Sequence, residues 1–163
     1  MKYFAYGSNM SLARLTQRVP SAKRIGTYQL PGYDLRFHKA GKDNSGKCDA
    51  YYTGNSEDVV IGALYEMPES ERPALDAAEG LGVHYNDKII TVLGQDGESL
   101  EAMMYYAIDI NLSVKPFCWY LNHVLIGARE INVPDNYLAK IQAIDSVLDQ
   151  DTERNTLEYT IHA

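Results

Sequence analysis

The chain has 163 residues and a formal net charge of −7, with 45% hydrophobic and 23% charged residues. This composition is that of a globular protein with its own core, and it excludes a disordered or collagen-like chain. No stretch approaches the roughly 18 consecutive apolar residues of a transmembrane helix, and the first residues lack the apolar segment of a secretory signal. We expect one domain over residues 1–163, with a core in about 1–148 and a tail in 149–163, and a cytoplasmic location without membrane contact.

Strands dominate the first two thirds of the chain. Tyr3–Tyr6 is a short apolar strand that ends at Gly7-Ser8-Asn9, after which Ser11 can cap a helix. The segment 41–47 has the composition of a turn. Further strands are expected within 22–40, which turns at 31–32, and at 50–53, 59–67, 86–93 and 98–108.

Helices are predicted in the middle and in the last third of the chain. Residues 71–79 form a helix for which Ser70 is a plausible N-cap and Gly80 the terminating glycine. Two more helices are expected at 115–127 and, after Pro134, at 137–148, whereas 156–161 adds a strand or trails free. A block of strands followed by helices indicates the α+β class, with a largely antiparallel sheet or barrel.

Charge and tyrosine are both distributed unusually. Residues 1–47 carry nine Lys or Arg and two Asp, whereas the other 116 residues carry six Lys or Arg and twenty Asp or Glu. A basic segment can attract an anionic ligand or complement the charge of neighbouring elements, while the overall negative charge disfavours nucleic acid as a partner. Thirteen Tyr against three Phe suit a cavity that orients a polar ligand, although a half-exposed sheet surface uses tyrosine equally well.

Three patterns that often mark catalytic or metal sites have little support. Residues 41–48 resemble a phosphate-binding loop, but Cys48 replaces the required hydroxyl and a strand follows where a helix is needed. The four histidines show no metal-ligand spacing, so no metal is expected. Ser8 lies in Tyr-Gly-Ser-Asn and not in a G-x-S-x-G frame, which argues against a serine nucleophile.

Two positions carry a more specific signal. The backbone N–H groups of Gly7 and Ser8, at the end of a strand, can hold a carboxylate or a developing oxyanion, although a tight turn into a helix has the same sequence. Glu79 lies in the last turn of its helix on the face of Leu75, where the helix dipole raises a carboxyl pKa and, if this face is buried, desolvation raises it further. Such a carboxyl can accept and return a proton; a solvated glutamate at a frayed helix end is the alternative.

These motifs occur in a characteristic order along the chain. Tyr3–Met10 reads YFAYGSNM, and Leu75–Gly80 reads LDAAEG. The motifs that follow are Tyr85, Tyr105, Tyr120, Gly127–Glu130 and Val133-Pro134. The combination, which spans about residues 3–145, resembles the gamma-glutamylcyclotransferase family.

The resemblance implies an AIG2-like fold, which is a small mixed, largely antiparallel β-barrel with flanking helices and a pocket at one end. It implies that Glu79 is the catalytic glutamate. The substrate-binding residues that it implies are Tyr3, Tyr6, Gly7, Ser8, Asn9, Tyr85, Tyr105 and Tyr120. We expect Tyr105 and Tyr120 to face one cavity, with a hydroxyl near Glu79, in a monomer or homodimer.

The activity that the resemblance implies is intramolecular and needs no cofactor. The α-amine of a small γ-glutamyl compound attacks its own γ-carbonyl, which releases 5-oxoproline and an amine or amino acid. The identity of this leaving group stays open, because residues 81–84 and 117–119 depart from the family's pattern. A non-catalytic member that binds a small ligand or a partner protein is the alternative.

Overall fold

Seven strands and five α-helices make up the computed structural model, which describes residues 1–163. The strands are β1 Lys2–Ala5, β2 Lys23–Pro31, β3 Tyr33–Ala40, β4 Gly46–Tyr52, β5 Val59–Glu66, β6 Tyr85–Gly94 and β7 Ser99–Ala107. The helices are α1 Leu12–Thr16, α2 Arg72–Glu79, α3 Cys118–Glu130, α4 Asp135–Gln142 and α5 Thr152–Thr160, with 3₁₀ turns at Ser8–Met10 and Glu69–Glu71. None of the helices combines the length and the apolar character that a membrane span requires.

Five strands close into a barrel in the order β1-β5-β2-β6-β7. The pairs are antiparallel except for β1 and β7, which run parallel and meet at Tyr3 and Met103. Strand β5 is buried from Val60 to Tyr65 because both of its faces are covered, and its sequence is accordingly an uninterrupted apolar run. The expectation of an α+β protein with a mixed, largely antiparallel barrel and flanking helices is confirmed.

The remaining strands, β3 and β4, form a separate hairpin that contacts β5 and β7. The predicted turn at 41–47 is shorter than expected, because β4 already begins at Gly46. The Gly46 N–H donates to the carbonyl of Lys115 at 2.8 Å, and a Cβ on Gly46 would lie 2.4 Å from the carbonyl oxygen of Phe37. This close approach extends the strand and draws the hairpin against the segment that leads into α3.

Helix α2 packs on the barrel through Leu75, which is fully buried. The helix ends as predicted at Gly80, which has a left-handed backbone with φ of 65°. The predicted N-cap is wrong, since Ser70 lies in the 3₁₀ turn Glu69–Glu71 and no side chain caps the helix. Pro73, in the first turn, needs no intrahelical N–H partner there, so the helix can begin without a cap.

The helices of the last third differ from the prediction in their ends. Helix α4 stops at Gln142 and not near 148, because residues 143–148 return to pair with the chain that enters α3. The Val147 N–H donates to the carbonyl of Pro116 at 3.0 Å, and the Cys118 N–H donates to the carbonyl of Val147 at 2.9 Å. A long-range pairing therefore overrides the local helical pattern.

The tail, expected to form a strand or to trail free, is the helix α5. The carboxylate of Asp151 caps it by accepting the Arg154 N–H at 2.9 Å. The guanidinium of Arg154 in turn donates twice to the carboxylate of Asp149, each time at 2.6 Å. A charged N-cap and a bidentate ion pair thus establish the first turn, and the helix follows from it.

Helix α3 holds the turn after β1 through a glycine. A Cβ on Gly127 would lie 2.5 Å from the Cβ of Met10 and 2.6 Å from the backbone nitrogen of Ser11. Met10 and Ala128 are fully buried at this contact. The absence of a side chain at Gly127 therefore fixes how closely the 3₁₀ turn approaches the helix.

We predict that Gly127→Ala lowers the free energy of unfolding by about 1–3 kcal/mol, although alanine favours an exposed helix over glycine. The reason is that the added methyl group meets backbone atoms that cannot rotate away. Urea denaturation measures the change. Gly26→Ala is the control, because its Cβ would make only an ordinary 3.4 Å contact with the ring of Tyr28; equal losses in both variants would contradict the packing argument.

Candidate active site

The nine residues that the family resemblance implicates line one cavity at the end of the barrel, which we call the inner chamber. Its lining consists of Tyr3, Tyr6, Gly7, Ser8, Asn9, Cys48, Glu79, Tyr85, Tyr105 and Tyr120. They come from β1 and the turn after it, β4, the end of α2, β6, β7 and α3. Residues up to 117 positions apart in the chain therefore share one narrow space, which Cys48 joins without having been predicted.

The turn after β1 brings its backbone to the chamber because Gly7 has no side chain. A Cβ at Gly7 would lie 2.8 Å from the Cβ of Cys48 and 3.5 Å from the hydroxyl of Tyr120. The carbonyl of Gly7 accepts the N–H of Met10 at 3.0 Å, which closes the 3₁₀ turn. The N–H of Gly7 has no acceptor within the protein, so it is available to an oxygen atom in the chamber.

Asn9 orients the carboxylate of Glu79. Its Nδ2 donates to Oε1 of Glu79 at 2.9 Å and to the hydroxyl of Tyr3 at 3.2 Å. Its Oδ1 accepts a hydrogen bond from the guanidinium of Arg18 at 2.8 Å. The sequence predicted Asn9 as a pocket residue only, and it missed Arg18, because neither contact has a local signature.

Burial in the chamber raises the pKa of Glu79 above the usual range of a glutamate. The removal of the carboxylate from water is the main cause, and the charge of Arg18 and the hydrogen bond from Asn9 offset it in part. The side chain also lies at the C-terminal end of α2, where the helix dipole disfavours negative charge. At neutral pH, protonating Glu79 therefore costs less free energy than protonating an exposed carboxyl.

The tyrosines form a rigid wall because their hydroxyls are bound to the protein. Tyr6 donates to the carbonyl of Tyr105 at 2.7 Å, and Tyr85 donates to the carbonyl of Cys48 at 2.7 Å. Tyr105 donates to Oδ1 of Asp76 at 2.5 Å, and Tyr120 accepts the N–H of Cys48 at 2.9 Å. Tyr105 and Tyr120 thus face the same cavity as predicted, but neither hydroxyl bonds to Glu79, whose partner is Asn9.

Cys48 contributes shape and not reactivity to the chamber. It is a free cysteine with 2% of its surface exposed. Burial raises the pKa of its thiol to about 12, with a smaller opposing effect from its hydrogen bond with Tyr120. The group is therefore a neutral thiol at physiological pH and a poor nucleophile.

A second cavity of about 280 Å³, which we call the outer chamber, adjoins the first. The two share Ser8, Glu79, Tyr85 and Tyr120 as lining residues. The other charged side chains of the outer chamber are Arg14, Arg18, Lys39, Lys42, Asp43, Lys47, Arg154 and Glu158. Glu79 therefore stands between an inner space walled by tyrosines and an outer space rich in positive charge.

A larger cleft of about 530 Å³ lies elsewhere, between α2 and the barrel. Arg72, Asp76 and Glu101 are among its lining residues. Arg72 is paired there with both Asp76 and Asp87, so the charges in this cleft compensate one another. Since it contains neither Glu79 nor the turn after β1, it is a weaker candidate for chemistry.

We predict that Glu79→Gln raises the free energy of unfolding at pH 7.5 more than at pH 4. A carboxyl whose pKa is raised on folding stabilises the protein below its unfolded pKa, and this stabilisation is lost as the pH rises through the folded pKa. The neutral amide of glutamine keeps an oxygen that accepts the hydrogen bond from Asn9, and because it does not ionise, the protein does not lose this stability as the pH rises. Denaturation at both pH values measures the difference, with the exposed Glu66→Gln as control; an equal effect at both pH values would contradict it.

Comparisons with known proteins identify the family of the chain and its fold. The model of the AIG2-like family matches residues 59–141. The chain is 29% identical to a gamma-glutamylcyclotransferase of Bos taurus and 28% identical to one of Homo sapiens, over 88% of this chain and 78% of each relative. A solved gamma-glutamyl cyclotransferase superposes with a TM-score of 0.83 at 25% identity, over 94% of this chain and 96% of that one. The chain belongs to the AIG2-like family, whose barrel it shares with the gamma-glutamylcyclotransferases.

Proposed function

We propose that the protein is a gamma-glutamylcyclotransferase that converts a small γ-glutamyl compound into 5-oxoproline and a free amine or amino acid. The observation that carries this proposal is the position of Glu79, which Asn9 orients in a cavity shared with the free N–H of Gly7. The names of the relatives in Bos taurus and Homo sapiens support the same activity. Two free cysteines fit the reducing conditions of a cytoplasmic location.

The inner chamber suits an intramolecular reaction because its walls are rigid. A γ-glutamyl group must fold back so that its α-nitrogen reaches its own γ-carbon. In well-oriented intramolecular reactions the activation free energy is lower by about 7–11 kcal/mol, and this gain requires a binding site that keeps the substrate in one conformation. The tyrosine side chains whose hydroxyls are hydrogen-bonded to Asp76 and to the backbone of Cys48 provide such a site.

The backbone at Gly7 and Ser8 is the proposed binding site for an oxygen of the γ-glutamyl group. As the amine attacks, the γ-carbonyl oxygen gains negative charge in a tetrahedral intermediate. An N–H group without a protein acceptor, held in a turn that Gly127 packs against, needs no reorganisation to stabilise that charge.

Glu79 is the proposed acid and base. Attack forms the bond between the α-nitrogen and the γ-carbon, and the α-nitrogen then gives a proton to the carboxylate of Glu79. The protonated carboxyl returns this proton to the leaving nitrogen as the γ-carbon–nitrogen bond breaks, so the enzyme ends the cycle unchanged. A raised pKa suits this exchange because both forms of the carboxyl must be accessible near neutral pH.

We predict that Glu79→Gln lowers the rate of 5-oxoproline release by about 10²–10⁴-fold, the usual contribution of general acid–base catalysis. Glu79→Asp should also lose much of the activity, since proton transfer needs heavy atoms within about 2.6–3.2 Å. The assay follows 5-oxoproline from γ-glutamyl dipeptides, glutathione and γ-glutamyl amines, with Glu66→Gln as the control that changes a carboxyl outside the cavity.

Two outcomes would contradict the proposal. Wild-type turnover by a folded Glu79→Gln protein would remove Glu79 from the mechanism. Saturable binding of γ-glutamyl compounds by the wild-type protein, without any 5-oxoproline, would identify a non-catalytic member of the family.

We further predict that Arg18→Met moves the acid limb of the pH profile of kcat/KM to higher pH. The charge of Arg18 favours the ionised form of Glu79, so its removal raises the pKa of the carboxyl and delays the appearance of the base. The amine of the substrate titrates equally with both enzymes and does not contribute to the difference. An acid limb that stays in place, or that moves to lower pH, would contradict the assignment.

A further inference from the structure

The outer chamber carries an excess of positive charge within an acidic protein. Six cationic side chains line it, against three acidic ones, although the chain as a whole has a net charge of −7. Five of the six cations come from residues 1–47, the basic segment of the sequence. The sixth is Arg154 on α5.

Half of these cations are already paired with carboxylates of the protein. Arg14 lies 2.7 Å from Glu158, and Lys47 lies 3.0 Å from Asp43. Arg154 is bound to Asp149. Their charges are compensated within the fold, so they do not by themselves indicate a ligand.

The other half have no carboxylate partner. Arg18 bonds only to the neutral amide of Asn9. Lys42 is exposed at the rim and makes no hydrogen bond to the protein. Lys39 is the notable member, because only 4% of its surface is exposed and its ammonium group has no hydrogen-bond acceptor within the protein.

Lys39 lines the outer chamber. Its Nζ lies 5.1 Å from the ring centre of Tyr85, which lines both chambers. Its backbone is held on β3, opposite Lys47 on β4 and next to Ile110. The side chain of Lys39 is largely buried, yet its ammonium group lines the outer chamber without an acceptor from the protein, and largely buried charges in proteins are normally paired. The free donor groups of Lys39 therefore point to an anionic group of a ligand.

We propose that Lys39 is the specificity-determining residue for the leaving group and binds a carboxylate on it. This inference rests on the proposed function, in which the γ-carbonyl oxygen of the substrate meets the N–H of Gly7 at the inner chamber. The leaving half then extends past Glu79 into the outer chamber, where Lys39 lies. Lys39 thereby favours leaving groups that carry a carboxylate, and acidic leaving amino acids rank first because Lys42 also lacks a carboxylate partner.

A matched pair of substrates tests this assignment. γ-Glutamyl-alanine and γ-glutamyl-alaninamide differ only in that an amide replaces the carboxylate of the leaving group. Lys39→Met, which keeps the apolar stem and removes the charge, should lower kcat/KM for γ-glutamyl-alanine by about 10- to 100-fold, the range typical of a lost hydrogen bond to a charged group. The value for γ-glutamyl-alaninamide should change by less than about threefold, and Lys39→Arg should restore part of the preference.

The controls separate this inference from the proposed function. Lys23→Met removes an exposed lysine outside both chambers and should change neither substrate. Calorimetric binding of the same pair to Glu79→Gln protein reports the preference without turnover, so it remains informative if no 5-oxoproline is formed. Stronger binding of γ-glutamyl-alanine that is lost in Glu79→Gln/Lys39→Met supports the assignment.

Other results would overturn it. Equal losses for both substrates in Lys39→Met would show that Lys39 contacts the shared γ-glutamyl half. Equal kcat/KM values of the wild-type protein for the two substrates, or equal binding to Glu79→Gln protein, would show that the outer chamber does not select a carboxylate.

Discussion

The buried amide of Asn9 connects the parts of the molecule on which the candidate active site depends. It donates to Glu79 and Tyr3 and accepts from Arg18, and its bond to Glu79 spans 70 positions of the chain. A buried amide that loses a partner costs about 1–3 kcal/mol, so this network favours one arrangement of its members. The turn after β1, held by Gly127, thereby sets the position of a carboxylate at the end of α2.

The uneven distribution of charge along the chain can be interpreted only in the folded protein. The sequence allowed two interpretations, in which the basic segment either complements neighbouring elements or attracts an anion. Arg14 and Lys47 are paired with carboxylates, which is complementation, whereas Lys39 is buried without one. The distinction depends on which acidic side chains lie within reach, and that is a property of the tertiary structure.

The high tyrosine content likewise has two origins. The tyrosines of the inner chamber are buried and have bound hydroxyls, which makes them walls of a cavity. Tyr51 and Tyr52 on the β3–β4 hairpin are instead 39% and 65% exposed, as expected for a sheet surface. Composition cannot separate these roles, because tyrosine suits any site where one end is apolar and the other meets a polar group.

Features that depend on neighbouring residues could be predicted from the sequence alone. Ser11 accepts the Arg14 N–H, Gly80 ends α2 with a left-handed backbone, and Glu79 shares the buried face of Leu75. The order of the motifs indicated the barrel and the residues that would line one cavity, since the family resemblance carries the fold with it. The roles of those residues stay predictions.

The tertiary structure alone decided the features that rest on contacts between distant residues. Helix α4 ends early because Val147 pairs with the chain beside Phe117. Cys48 reaches the inner chamber because Gly7 leaves room for it, and Lys39, Arg18 and Glu79 line the outer chamber together although they come from the hairpin, the segment after α1 and α2. A local sequence pattern indicates which conformation a segment prefers, but it does not indicate which other segment it will contact. The contacts between distant segments are what bury Glu79, and so raise its pKa, and what bring the charges of the outer chamber together.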